Sequence, residues 1–421
     1  MNQQPLPHLY GVLLLGNSAS QLWPLSRPDA PLELARDNLS GVSPLELACL
    51  ALRPFSAEPL LIAVSGSQVQ AVEQHLQESQ TCRGLTYRLL TEPYPRGGAL
   101  TCALAANRLK LVDPNAIMLV FPVGQSFSQD DRWPAAINRA YQVCTANRIA
   151  LLAASEPPNN DAVSNPKPRE WRDSDASSRK TPEAAITSQS SPASQPSPTH
   201  EAFQSADSRQ PIGLIRPGEE LHGTTGAFAS RSYLAHPTTG QIWRGQQLKA
   251  LWSTHIYMLR ADQLLSELRH AAANPELPDA PSAQRIAETA RFFVSLEESS
   301  WADADARELV ATLPKESFEE LVFESTSCLA VIPTSLEFSD LTSLAGLEAQ
   351  LTADSAGNRL DGNVQAASGR NNTVLSTSGR QIVLQGLENI VVLDTEDATL
   401  IAARHTLPTL QAPAANLPGT G

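Results

Sequence analysis

The chain has 421 residues, a hydrophobic share of 42% and a net charge of -13. That charge excludes a general nucleic-acid binder, which needs a basic footprint, and the length and apolar content suit two ordered domains around a sizeable core. Aromatic residues make up only 5% and prolines number 32.

Taken in chain order, residues 10–15 form a short apolar run that ends at Gly16, the pattern of a buried parallel strand. Ser43 opens a helix through Leu45, Leu47, Leu50 and Leu52, and residues 60–64 predict a second strand. Val69, Val72 and Leu76 then fall on one helical face. Strands are expected over 85–90, 117–121 and 149–153, with helices over 98–110 and 135–143 between them. This βαβαβ alternation predicts a parallel sheet covered by helices. Ligands of such sheets bind at the carboxyl ends of the strands, where the turn after Leu15 lies.

Composition changes abruptly over 157–211, which is rich in Ser, Pro, Asn, Gln, Asp and Arg, as in Ser190-Ser191-Pro192-Ala193-Ser194-Gln195-Pro196. So little apolar surface cannot offset the entropy of ordering it, and a disordered insertion within the first domain (1–345) is expected. Regular patterning resumes at Ile212-Gly213-Leu214-Ile215, with helices expected over 260–273 and 282–299. After about residue 345 the texture becomes short strands with Gly and Asn turns, for example 381–384 and 390–394. A small all-β region over 346–406 follows from this, and the Pro-, Ala- and Gly-rich tail 407–421 is expected to be loose.

Cys49, Cys82, Cys102, Cys144 and Cys328 form no C-x-x-C pair and mostly sit among apolar residues, so they read as buried free thiols in a reducing compartment. No stretch reaches the roughly 20 apolar residues of a membrane-spanning helix, and no basic segment leads into an apolar run at the N-terminus. The expectation is a cytoplasmic protein without membrane or nucleic-acid partners.

Three segments carry a resemblance. They are Leu22-Trp23-Pro24-Leu25-Ser26-Arg27; Glu92-Pro93-x-x-Arg96 leading into Ala103-Leu104-Ala105-Ala106; and Gly386-Leu387-Glu388-Asn389-Ile390-Val391-Val392-Leu393-Asp394-Thr395-Glu396-Asp397-Ala398. In this order and spacing the chain resembles the bacterial mannose-1-phosphate guanylyltransferases, without the further cupin-type isomerase domain that many of them carry. The resemblance implies an α/β, Rossmann-like nucleotide-diphospho-sugar transferase fold with a mixed, mainly parallel sheet. It also implies a reaction in which the phosphate of mannose 1-phosphate attacks the α-phosphorus of GTP, giving GDP-mannose and pyrophosphate. Such a transfer needs phosphates held in line and growing charge neutralised. The family supplies this with G-G-x-G-x-R, a later P-K, a magnesium ion on carboxylates, and sugar-side E-K-P and W-N-S-G motifs.

Set beside these motifs, the working residues differ. The loop is Gly16-Asn17-Ser18-Ala19-Ser20-Gln21, with Gln21 where the resemblance implies Arg, and Leu32 follows Pro31 where it implies Lys. Neutral side chains there cannot make charged contacts to phosphate. Gly124, in Phe121-Pro122-Val123-Gly124-Gln125, takes the place of a metal-binding Asp. Within Phe338-Ser339-Asp340-Leu341-Thr342-Ser343-Leu344 only Asp340 keeps its identity as a candidate metal ligand, or else it is an ordinary loop or capping residue.

Nucleotide contacts fall on Leu15, Gly16, Asn17, Ser18, Glu92 and Arg96, although Arg96 also fits a solvent-facing role and Glu92 a strand-end charge. Sugar-side positions are His236, Trp252 and Ser253; His236 and His255 suit either phosphate binding or a structural role. Gly16-x-Ser18-x-Ser20 also loosely matches a nucleophile elbow, but the closing Gly is missing. The expectation is a catalytically impaired paralogue that binds a nucleotide or nucleotide sugar, or pairs with an active paralogue or a copy of itself. The alternative is an active enzyme with altered chemistry, using magnesium; the impaired protein needs no cofactor.

Overall fold

The computed structural model describes residues 5–15, 22–27, 30–35, 41–57, 59–92, 96–127, 130–155, 213–295, 304–336, 338–341 and 343–409. The expected insertion 157–211, the loop Gly16–Gln21, Pro93 and the tail beyond 409 lie outside them. Strand and helix alternate as β1 (Leu9–Leu14), α1 (Pro44–Leu52), β2 (Leu60–Ser65), α2 (Val69–Glu78), β3 (Tyr87–Glu92) and α3 (Gly98–Val112). Then come β4 (Ile117–Pro122), the short β5 (Gln125–Phe127), α4 (Arg132–Thr145) and β6 (Ile149–Ala154). The chain continues with β7 (Leu214–Glu220), β8 (Phe228–Leu234), α5 (Thr239–Gln247), β9 (Leu251–Arg260), α6 (Ala261–Ala273) and α7 (Ala280–Ser295). It goes on through α8 (Ala304–Ala311), α9 (Phe318–Val322), β10 (Leu329–Thr334), β11 (Phe338–Asp340) and α10 (Leu344–Ala349).

Local chemistry fixes the element ends. Ser43 caps α1 by accepting from Glu46 N, and Glu46 accepts from Ser43 N at 2.8 Å, a reciprocal capping box with Pro44 at the first helical position. Ser317 and Glu320 form the same box at the start of α9. α3 carries Ala99, Leu100, Cys102, Ala103, Leu104, Ala105 and Ala106, all fully buried. A helix of small apolar residues on every side belongs between two layers, and α3 lies against both the sheet and α6 and α7.

Nine strands form one sheet in the order β3-β2-β1-β4-β9-β6-β10-β8-β7. β1 to β4 are mutually parallel, as are β6 and β10, so the parallel sheet expected from the alternating pattern is present. β9, for which the sequence pattern predicts no strand, runs antiparallel between β4 and β6 and makes the sheet mixed. Its sequence LWSTHIYMLR is buried nearly throughout, and a strand buried on both faces has no alternation to betray it. Adjacent residues along β1 face opposite layers. Val12 joins the core beneath α3, α6 and α7, while Leu13 joins the core under α1, α2 and α4.

The C-terminal region holds β12 (Arg359–Asp361), β13 (Val364–Arg370), β14 (Thr373–Ser376), β15 (Ile382–Glu388), β16 (Ile390–Asp394) and β17 (Thr399–Ala403). β12, β14 and β16 pair in parallel, and so do β13 and β15, so each coil of chain lies beside the previous one. β17 closes the stack antiparallel to β16. The region is β-rich; α10 overlaps its start, and a 3-10 turn over Arg404–Thr409 follows β17. Among the described residues Cys49, Cys82, Cys102 and Cys144 are buried free thiols and Cys328 is half-buried. Burial pushes the Cys102 thiol up to about 12. No helix among these residues is long and apolar enough to cross a membrane.

Candidate functional site

The carboxyl ends of the parallel strands meet along one rim. Leu14 at the end of β1 pairs with Pro122 at the end of β4. Leu15 N donates to Ala63 O at 3.2 Å, which fixes the exit of β1. The residues that follow, Gly16, Asn17, Ser18 and Gln21, lie outside the described residues. Their far flank is fixed: Leu22 is buried with Leu375, Val391 and Leu393 of the C-terminal coil. Arg27 grips Asp397 with two parallel hydrogen bonds, one of them Nη2 to Oδ1 at 2.7 Å, and also reaches Thr395 Oγ1 at 3.2 Å. Hydrogen bonds from Arg27 hold the Asp397 carboxyl well below the usual carboxylate range. Two of the three segments behind the resemblance are thus physical partners, and Arg27 serves the scaffold.

At the Lys position, Leu32 is half-buried in the same apolar cluster as Leu22 and Leu25. With Leu25, Leu47, Leu341, Leu347 and Leu375 it lines a cavity of about 240 Å³. Gly124 sits in the turn between β4 and β5 at φ +115, where a side chain would be strained. β5 pairs antiparallel with β11 so that Asp340 faces Gln125, and Leu341 N donates to Gly124 O at 2.8 Å. The two positions that the resemblance assigns to metal ligands are therefore neighbours in space, but only Asp340 carries a carboxylate. Among the described residues no group of three or more His, Cys, Asp or Glu side chains is arranged to hold a metal ion. This donor set does not fit a magnesium ion held by paired carboxylates.

Glu92 ends β3 and is buried, with Thr101 Oγ1 donating to it. Burial pushes its carboxyl up to about 8, so at neutral pH it is mostly a neutral hydrogen-bonding group. Arg96 is half-buried and donates from Nη2 to the Ala311 carbonyl. Next to it, Gly97 has φ 82 and ψ 165, a region open essentially to glycine alone. A Cβ there would stand 2.5 Å from Glu316 O. Gly97→Ala is expected to cost about 3 kcal/mol of folding stability, read as a lower urea midpoint at unchanged slope.

The sugar-side positions part company. Trp252 is 2% exposed and belongs to the core, and Ser253 is also buried. His236 lies on the surface and pairs with Glu320 at 2.8 Å. His255 is different. Ala153 pairs with Ser253 and Leu151 with Tyr257, so β9 carries extra residues between the two pairings and bulges. His255 sits on that bulge at φ +59. Ser253 Oγ accepts from His255 N at 3.1 Å, Thr254 Oγ1 donates to Leu152 O at 2.8 Å and accepts from Ile256 N at 3.2 Å. These hydroxyls take up backbone groups that the bulge frees from the ladder.

His255 Nδ1 donates to Glu319 Oε1 at 2.9 Å. Glu319 is buried, and its other oxygen accepts from Tyr233 OH and from Ser253 Oγ at 3.1 Å. Burial works against the proton on His255, but the Glu319 carboxylate outweighs it, with Asp340 and Glu320 adding, and the ring's pKa ends above its ordinary value. Burial alone would raise Glu319; His255 first, then Tyr233 and Ser253, bring it below the usual range. The result is an ion pair at the rim. Glu319 escaped the sequence reading because it has no motif of its own. The one signal was the Ser317-x-x-Glu320 box, which marks a helix start immediately around it.

No family model matches the chain. In sequence it is similar to a mannose-1-phosphate guanylyltransferase of Escherichia coli K12, 24% identical over 408 residues that cover 95% of this chain and 71% of that protein. It is also similar to the alginate biosynthesis protein AlgA of Pseudomonas fluorescens, 25% identical over 397 residues, 93% of this chain and 68% of that one. Among solved structures it resembles one described as mannose-1-phosphate geranyltransferase from Thermus thermophilus, with a TM-score of 0.67 at 17% identity, covering 96% of this chain and 97% of that one. The fold is that of the Rossmann-like nucleotide-diphospho-sugar transferases, with small β-sheets added at the C-terminal end.

Proposed function

From a chain related over nearly its whole length to the mannose-1-phosphate guanylyltransferases, we propose a catalytically impaired, guanylyltransferase-like protein. It binds a nucleotide or nucleotide sugar in polysaccharide metabolism in the cytoplasm, and acts through an active paralogue or a second copy of itself. The observation that carries this reading is the β5–β11 pairing, which sets Gly124 beside Asp340 and leaves one carboxylate where two would hold a cation. Leu32, turned into an apolar cluster, supports it. Each lost charge-stabilising contact costs about 10²- to 10³-fold in rate, and the losses fall on the same polyphosphate.

With GTP, mannose 1-phosphate and magnesium, pyrophosphate release is expected to stay at background, while calorimetry detects GTP or GDP-mannose. Magnesium-dependent release that disappears in Asp340→Ala would overturn the proposal. It would establish the second reading, an active sugar-phosphate nucleotidyltransferase with rearranged chemistry.

A further inference from the structure

His255 is the one non-glycine residue inside a described strand with a left-handed backbone. Histidine adopts that conformation at a cost of about 1–3 kcal/mol, which persists only where surrounding contacts enforce it and clusters at functional sites. The enforcing contacts are the hydroxyls of Ser253 and Thr254 on the backbone and Glu319 on the ring. The bulge re-aims a side chain that a regular strand would have directed elsewhere.

The position of the bulge is set by register. Tyr257 pairs with Val120 of β4 and Ser253 with Ala153 of β6, so His255 stands near the carboxyl ends of both strands, with β4 between it and β1. Glu319 occupies Nδ1. Nε2 has no hydrogen-bond partner among the described residues, and the side chain keeps 27% of its surface exposed. With Nδ1–H tied to a carboxylate, Nε2 points in a fixed direction, accepting a hydrogen bond when the ring is neutral and donating one when it is protonated.

Asp340 of β11 and Glu320 of α9 lie close enough for their charges to act on the ring. A ring nitrogen among carboxylates is a poor seat for a phosphate dianion, because the acidic neighbours repel it. It suits a neutral polyol, whose hydroxyls either accept from or donate to the imidazole and also donate to a carboxylate.

We propose that His255 is a ligand-contacting residue of this rim, hydrogen-bonded through Nε2 to a ring hydroxyl of a hexose, with Asp340 the acceptor for a neighbouring hydroxyl and Glu319 the positioning residue that holds the ring. The inference rests on reading the rim as a nucleotide-sugar site. It goes beyond that reading in assigning sugar recognition to a side chain where the resemblance implies glycine.

The test uses the full chain with GDP, GDP-mannose and the neutral probe methyl α-mannoside. His255→Asn keeps a residue that tolerates the left-handed backbone. It is expected to weaken GDP-mannose binding about tenfold or more and to leave GDP binding unchanged; an equal loss for both, or none for either, overturns the inference. In ¹⁵N spectra of the wild type, methyl α-mannoside is expected to shift the His255 Nε2 signal, and inorganic phosphate is not. A shift with phosphate alone, or none with the mannoside, overturns it. Should the wild type bind neither GDP nor GDP-mannose, the nucleotide reading fails and the mannoside titration decides the inference by itself. A downfield Nδ1 proton, present in the wild type and lost in Glu319→Gln, is the signature of the positioning role.

Discussion

Replacing Glu319 by alanine is expected to cost about 3–5 kcal/mol of folding stability, the range for removing one partner of a buried, hydrogen-bonded ion pair. The substitution strands three groups at once: the His255 imidazolium, the Tyr233 hydroxyl and the Ser253 hydroxyl, all of which now donate to this carboxylate. Urea denaturation measures the loss directly. Its pH dependence has a definite sign at each end. The His255 pKa is raised on folding, so its contribution is complete below the unfolded value of about 6.5 and fades as pH rises through the higher folded value. The Glu319 pKa is lowered on folding, so its contribution is complete above the unfolded value of about 4.3 and fades as pH falls through the lower folded one. The difference between wild type and Glu319→Ala is therefore greatest between those limits and narrows outside them on both sides. A loss under about 1 kcal/mol, flat in pH, would be that of a surface pair and would contradict the buried network described above.

Phe318→Ala is expected to cost a similar amount, about 3–5 kcal/mol, by a different mechanism. Phe318 is 1% exposed. It stacks on Tyr257 at 5.8 Å and meets Phe323 edge to face, and Phe323 meets Tyr233 in the same way at 5.3 Å. Its loss opens a cavity under the first turn of α9, next to Glu319 in the chain, without removing a charge. The two variants separate packing from electrostatics. Stability lost in Phe318→Ala should keep the wild-type pH profile, whereas loss in Glu319→Ala should change it. If both lost the same pH-dependent component, α9 would be holding the ion pair only through its packing.

Much of the scaffold was legible from the chain itself. Tyr10 to Leu14, Leu60 to Val64 and Ile117 to Phe121 are short apolar runs bounded by turns, and each is a buried parallel strand. Leu45, Val72 and Leu76 are buried as helical spacing requires. β9 was not legible, because a strand buried on both faces and interrupted by Ser253-Thr254-His255 shows neither alternation nor a clean apolar run. Of the positions the resemblance named, Gly124 and Asp340 adjoin where the distant strands β5 and β11 pair. Partnerships that depend on chain crossing were out of reach. Nothing in the sequence ties Arg27 to Asp397 or His255 to Glu319, since such pairs form after the sheet has brought distant segments together. Arg96 fits either a nucleotide contact or a solvent-facing role in sequence, and its hydrogen bond to the Ala311 carbonyl joins segments 215 residues apart.

The contact between Leu22, Leu25 and Leu32 and the coil residues Leu375, Val391, Leu393 and Leu400 has a consequence for how this molecule tolerates change. Aliphatic groups from opposite ends of the polypeptide exclude water jointly, so neither end has a hydrophobic surface it can keep dry unaided. The coil thus acts as a buttress for the segment that leaves the first strand. A substitution among its rungs would be felt at the mouth of the sheet through the Arg27 clamp, even though no coil residue needs to touch a ligand.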